Sequence, residues 1–516
     1  MRYIVGEILH FCKIVLVAVK ITVSVLVCNL ALSLIIHKFF LDKLQLAMNQ
    51  LLQTDLNNFD HILERAKMVG VEYLHSLDSR PTNSAHTIST YNQLQENGAG
   101  AEGSLEQFLE RFERLIVASS GARYLGFVTG GSTPASIVGD WLATVYDQNP
   151  QGTIGQGDIS ATIELETIAL LRDLFGLPDD FIGGFVTGAT MSNFTCLGVA
   201  RQWLGKQHSE DIAKNGVTSV MPILAATPHS SSLKALSMLG LGSRMFTKLK
   251  VMDGNREAID IADLEKALQT LNGQPSILIT SAGTVNTVDF DDFRAIAALR
   301  DRYTFWWHID GAFGAFAACS PNTAHLVEGW SMADSITVDC HKWLNVPYES
   351  AVFFVRKEHS ILQTETFQNS SAPYLGDPFE KFSFLNFLPE NSRRLRALPT
   401  WFSLVGYGKK GYRDIVENSI QMAQLLGTFI EKHPKFRLLA PVRLNTVCFS
   451  LSGNPSATSV QEYLTALNAT GKVFMTPTSY NGSKGIRAAF VNWRTNAEDV
   501  SLIIAIMQEV LDSTGL

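Results

Sequence analysis

Between residues 154 and 355, short β-branched and aromatic runs alternate with amphipathic segments, and this alternation restricts the fold more than any other feature of the chain. Strands are expected at 181–187, 220–226, 276–280, 304–309, 335–338 and 351–355, and helices at 165–177, 190–203, 264–271 and 293–302. Strands separated by helices build an α/β domain around a largely parallel sheet, because hairpins cannot join them. Ligands of such sheets bind beyond the carboxyl ends of the strands. The residues that read as chemically active in this chain lie at those ends.

The strand at 335–338 runs into Asp339-Cys340-His341-Lys342-Trp343. An ammonium held among apolar neighbours is destabilised in its charged form, so its pKa falls and the free amine can attack a carbonyl. Lysines are mostly exposed, and Lys342 taken alone reads as a solvated loop residue. Other residues change that reading. Asp310 ends the apolar run Phe305-Trp306-Trp307-His308-Ile309, where a carboxylate needs a cation or a donor to offset its burial. About 30 residues separate it from Lys342, the length of one βαβ unit, so both can reach one ligand. The stretch Thr187-Gly188-Ala189-Thr190 joins a strand to a helix through small and hydroxyl residues. Its free amides and helix dipole suit a phosphate at Ala189 and Thr190, although any tight βα turn looks similar. His229 follows the next strand, either as a helix cap or as a flat ring able to stack on a planar ligand. The glycines of 124–132, around Phe127, make either a plain turn or a close backbone approach. A phosphate seat, a stacking ring, a buried carboxylate and a desolvated lysine are together what pyridoxal 5'-phosphate requires.

The most specific pieces are His341-Lys342-Trp343, His308-Ile309-Asp310-Gly311-Ala312, His229-Ser230-Ser231 and Glu164-Leu165-Glu166. Through them the chain, from about residue 81 onward, resembles the group II pyridoxal-phosphate-dependent decarboxylases, which act on aromatic amino acids, histidine and glutamate. The resemblance implies an aspartate-aminotransferase-like (type I) α/β fold, decarboxylation of an L-amino acid to the amine and carbon dioxide, and a homodimer with active sites at the subunit interface. It further implies that Lys342 carries the cofactor in imine linkage and that Asp310 pairs with the pyridine nitrogen. Ala312 and His229 would sandwich the ring, Ala189 and Thr190 would hold the phosphate with His341 close by, and Phe127 and Tyr374 would line the substrate pocket. Arg487 would either receive a substrate carboxylate or form a structural ion pair.

One departure bears on the reaction's outcome. Aromatic amino acid decarboxylases protonate their product carbon with the help of a loop tyrosine, and the corresponding stretch 377–388 has phenylalanines and no tyrosine. Relatives with phenylalanine there are associated with oxygen-dependent aldehyde formation. That outcome, or a catalytically silent chain, stands as the alternative, with His229 and His341 as other proton donors.

Four regions are expected: a hydrophobic segment at 1–47, a helical dimerisation arm at 48–120 with a helix behind Ser104 as N-cap, a cofactor domain at 121–390, and a small α+β domain at 391–516. The last should contain strands at 444–451, 473–476 and 486–491 and a helix at 500–511. A net charge of -7 with 18% charged residues leaves no basic footprint for nucleic acid. The 6 cysteines form no Cys-x-x-Cys pair, which argues against disulfides or a metal site and for a reducing, cytoplasmic location. Membrane contact is confined to residues 14–36, which are apolar enough to cross a bilayer. That segment reads as an anchor, a signal-like segment, or residues ahead of a start at Met48.

Overall fold

The computed structural model describes residues 2–44, 49–86, 88–153, 158–368, 382–453 and 455–515. It divides into two compact units, Met1–His75 with His86–Ile116, and Ser76–Ala85 with Val117–Leu516.

The first unit is helical. It opens with a single helix, Arg2–Leu44, followed by helices Gln50–Asn57, Phe59–Ser76 and Gly100–Arg111. The last of these begins four residues ahead of Ser104, which is therefore not its cap. Instead Asp55 accepts the Ala101 N–H at 2.9 Å, so a side chain from another helix satisfies an end amide. Ser104 lies inside the helix and donates its hydroxyl to the Gly100 carbonyl.

The second unit holds two sheets. The larger comprises β1 (Phe181–Val186), β2 (Ile223–Ala225), β3 (Thr247–Lys248), β4 (Ser276–Ser281), β5 (Phe305–Asp310), β6 (Ser335–Asp339) and β7 (Ala351–Arg356), in the order β1-β7-β6-β5-β4-β2-β3. From β3 to β6 all neighbours are parallel, and only β7 runs against its neighbours β1 and β6. The expected strand at 220–226 is shorter, because Val220 is 85% exposed and the pairing starts after Pro222. Strands β4, β5 and β6 are buried throughout, as a sheet covered on both faces requires.

The crossover from β5 to β6 differs from the expected βαβ unit. It consists of three 3-10 segments, Gly314–Cys319, Ala324–Val327 and Trp330–Met332, without an α-helix. Close packing explains this: a Cβ on Gly314 would lie 1.9 Å from the Ala282 carbonyl oxygen, so this chain lies against the end of β4 too tightly for a full helical turn of side chains.

The smaller, antiparallel sheet comprises β8 (Phe436–Leu438), β9 (Thr446–Leu451), β10 (Thr476–Tyr480) and β11 (Ser483–Ala489), ordered β10-β11-β9-β8. The strand expected at 473–476 is displaced. Val473 and Met475 are buried, but the backbone of Phe474 bonds to Arg123 and Leu125, outside the sheet. The polar segment Thr476–Tyr480, with Pro477 in it, takes the edge position where a missing N–H is tolerated. The closing helix, Ala497–Thr514, starts at a capping box between Asn496 and Asp499 and is longer at both ends than the expected 500–511.

A fully buried ion pair ties the larger sheet to a distant part of the chain. Glu164, on helix Ser160–Phe175, pairs with Arg393, and neither side chain is exposed at all. Glu164 also accepts the Phe185 N–H at 2.8 Å, while Arg393 donates to the carbonyls of Phe185 at 2.9 Å and Pro150 at 3.3 Å. Removing one partner strands the other charge. Arg393→Ala is expected to lower the unfolding free energy by about 3–5 kcal/mol in denaturant titrations, whereas replacing both by apolar residues of similar volume should cost much less.

Candidate active site

β5 and β6 are parallel neighbours with Asp310 opposite Thr337, so the end of β5 and the chain leaving β6 face the same space. That space is a cavity of about 620 Å³ whose lining includes Lys342, Asp310, Ala312, His229, Phe127 and Arg487. Residues from five separate segments therefore meet as the strand-end rule expects.

Asp310 is the floor of the cavity. Its Oδ2 accepts from Asn193 Nδ2 at 3.0 Å and Ser232 Oγ at 3.1 Å, and its Oδ1 accepts the Ala312 N–H at 3.2 Å. Burial by itself would raise its pKa. The opposing effects of His229, Lys342, His308 and the Asn193 amide outweigh burial and hold the carboxyl below the usual range. Asp310 is thus an anion with every donor around it fixed.

Behind it runs a chain of hydrogen bonds that orients the donors. Because the Asp310 carboxylate can only accept, Asn193 must turn its amino group toward it and its carbonyl toward His308. His308 Nε2 then donates to Asn193 Oδ1 at 2.9 Å, and its Nδ1 meets Ser335 Oγ at 2.9 Å. Burial depresses the pKa of His308 to about 4, so the ring is neutral, as this arrangement requires. A depressed histidine contributes stability that is complete above the ordinary pKa of 6.5 and is lost as pH falls toward about 4. Urea denaturation at pH 7 and pH 5 should show this loss, and His308→Gln should flatten the difference.

His229 caps helix Ser230–Met238. Its Nδ1 accepts the Ser231 N–H at 3.2 Å and lies 2.7 Å from Ser231 Oγ, so its proton sits on Nε2. Burial depresses its pKa, an effect that Lys342 and Arg487 reinforce and Asp310 opposes. The cap is present, and it leaves the ring lining the cavity.

Lys342 is not in purely apolar surroundings. Its Nζ lies 2.7 Å from Asp339 Oδ2 and 6.0 Å from the centroid of Phe313. Asp339 was not singled out in the sequence, yet it links the lysine to the expected phosphate seat, because its Oδ1 accepts the Ala189 N–H at 2.6 Å. Ala189 and His341, the latter 3.7 Å away, therefore gather around Asp339. Thr190 follows in the first turn of helix Ala189–Gln207, and none of these three lines the 620 Å³ cavity. A Cβ on Gly188 would meet His341 Cε1 at 3.5 Å, an ordinary contact, so His341 lies beside the helix N-terminus. First-turn amides beyond Ala189 have no acceptor inside the helix, which leaves that of Thr190 for a phosphate oxygen. With an anionic floor, a neutral flanking histidine, an amine and an open helix end, the residues present fit pyridoxal phosphate.

The glycine-rich stretch also has a definite role. A Cβ on Gly130 would lie 1.7 Å from the Lys342 carbonyl oxygen, so only glycine allows this backbone to pack on the lysine's own. Phe127 and Val128 just before it have φ of 54° and 60°, a costly conformation for a β-branched valine that over-determined packing sustains beside the cavity. Arg487 Nη1 donates to the Val285 carbonyl at 3.2 Å, and among the described residues no carboxylate pairs with it. Tyr374 lies outside the described residues. In the stretch 377–388, residues 382–388 are described, and Phe382, Phe384 and Phe387 are buried against one another as packing residues.

Comparison with known proteins agrees with this geometry. The model of the pyridoxal-dependent decarboxylase conserved domain matches residues 106–452. An aromatic-L-amino-acid decarboxylase of Bacillus atrophaeus is 26% identical over 492 residues, covering 91% of this chain and 98% of its own. A phenylacetaldehyde synthase of a Rosa hybrid cultivar is 26% identical over 399 residues, covering 71% and 75%. A crystal structure of Oryza sativa TDC with PLP and tryptamine superposes with a TM-score of 0.80 at 18% identity, covering 91% and 99%, and shares the fold.

Proposed function

The chain belongs to the pyridoxal-dependent decarboxylase family, and we propose that it converts an L-amino acid to the amine and carbon dioxide, with Lys342 and Asp310 as its central pair. The observation that carries this is the meeting of Lys342, Asp310 and His229 around one cavity at the ends of parallel strands. Bound pyridoxal phosphate supplies the electron sink for the bond that breaks. Lys342 Nζ is the amine that would hold the cofactor, and Asp339 beside it fixes its position. Asp310, anionic and fully hydrogen-bonded, keeps a proton on the pyridine nitrogen. Ala312 and His229 would flank the ring, and His341 and the Thr190 amide would hold its phosphate end, the Ala189 amide being taken by Asp339. Protonation of the product carbon would draw on His229 only in its doubly protonated form, which its burial disfavours.

Arg487 receives the substrate carboxylate, which its lack of an acidic partner among the described residues supports. Arg487→Met should raise KM by about 10–100-fold with a smaller change in kcat, the loss of one charge-assisted contact. Steady-state kinetics decide this. The chain acts as a homodimer in this reading. The row Val138, Trp141 and Val145 is about half exposed or more on helix Pro134–Tyr146 and suits a second copy.

A panel of L-amino acids, read for carbon dioxide, amine, ammonia, peroxide and aldehyde, tests the reaction. Amine and carbon dioxide in equal amounts without peroxide support it. Aldehyde, ammonia and peroxide in place of amine would overturn it in favour of oxidative deamination to an aldehyde, the class of product in the Rosa relative's name.

A further inference from the structure

Helix Arg2–Leu44 contains an apolar stretch, Gly6–Lys38, of 33 residues, within which 18 consecutive residues reach a mean hydropathy of 2.4. Every side chain from 6 to 38 is exposed, including Phe11 at 70% and Leu34 at 65%. A soluble helix with so much apolar surface must lay one face on something, and the residues left bare here point in all directions. Between Ile21 and Ile36 there is no charged residue. At 100° per residue, Thr22, Asn29 and Ser33 fall on the side opposite Lys20 and Ser24, so the helix has no single wet face with which to lie flat on a surface.

We propose that this helix crosses a lipid bilayer once and tethers the catalytic unit to it. Residues 14–36 make a rod of about 33 Å at 1.5 Å per residue, which matches a hydrocarbon core of about 30 Å. Lys38 and Lys13 flank it where headgroups lie, and Lys20, two turns in from Lys13, reaches the same boundary by extending its side chain. The unbroken helix satisfies its own backbone, and the Thr22 hydroxyl donates to the Ala18 carbonyl at 2.8 Å. The catalytic unit faces the reducing side of the membrane: all six cysteines are free thiols, and Cys196, Cys319, Cys340 and Cys448 are buried in that unit.

The test uses the full chain, independently of its substrate, and does not depend on the reaction proposed above. After cell breakage the chain should sediment with membranes, resist extraction at alkaline pH and dissolve only in detergent. In sealed vesicles with the reducing face inside, the catalytic unit should be protected from added protease. The double variant V25K/L32K should shift at least tenfold toward the soluble fraction while the cofactor absorbance of the protein is unchanged. Recovery of the unmodified chain in the soluble fraction, release by alkali, an N-terminus found beyond residue 38 in the mature protein, or digestion of the catalytic unit in those vesicles would overturn the proposal. So would unaltered sedimentation of the double variant.

Discussion

Lys342→Ala is expected to lower kcat by about 10⁴-fold or more, the largest effect of any single substitution in this chain. The lysine has two functions that no neighbour can assume. Among the described residues it is the only lysine lining the cavity, and its Nζ is positioned by Asp339 at 2.7 Å and by the packing of Gly130 on its backbone. Truncation removes the amine without disturbing the strand that delivers it, since β6 ends at Asp339. The fold should therefore survive. Circular dichroism and denaturant midpoints close to those of the unaltered protein, together with lost turnover, would separate a chemical role from a structural one. Residual activity within tenfold of the original would show that another group holds the cofactor.

The second large effect is expected at Asp310→Asn, with kcat lowered by about 10²–10³-fold. Asparagine keeps the shape and its oxygen can still accept from Asn193 and Ser232, at the cost of the 3.2 Å bond from the Ala312 N–H, which then meets the amino group. What it removes is the negative charge opposite the pyridine nitrogen. That charge acts on the reaction as electrons enter the ring, and less on the binding of substrate, so kcat should fall more than KM rises. An equal change in both, or a change in KM alone, would mean that Asp310 only supports the cavity floor. Cofactor attachment at Lys342 should persist in this variant.

The sequence and structure agree best where a strand end defines a residue's place. Lys342 and Asp310 were legible because β5 and β6 are dense apolar runs that stop abruptly at polar residues, and parallel neighbours present their ends together. His229 was legible in the same way after β2. Asp339 was not, although it is only three residues from Lys342, because its partners are the lysine amine and an amide 150 residues away. Asn193 and His308 were missed as orienters of Asp310 for a similar reason: their bond spans 115 residues and depends on how helix Ala189–Gln207 lies on the sheet. The Glu164–Arg393 pair crosses 229 residues and has no local signature at all.

Local patterns failed where tertiary contacts outweighed them. β10 was displaced because a polar edge strand lacks the apolar alternation that marks a half-buried one, while the apolar residues just before it serve the core. The stretch after Asp310 fits helical composition, yet the contact of Gly314 with Ala282 admits only 3-10 turns. Ser104 looked like a cap because serine before an amphipathic run usually is one, but Asp55 caps the amide of Ala101, three residues earlier.

The central claim is that Lys342 carries pyridoxal phosphate over the anionic floor of Asp310. Its most direct measurement is the site of covalent attachment. The purified protein with added cofactor should show an absorbance band in the visible that borohydride removes, and peptide mass mapping of the reduced protein should find the reduced cofactor on the peptide containing Lys342. Lys342→Ala should show neither. A cofactor fixed to another lysine, or a colourless protein that takes up no label, would contradict the account.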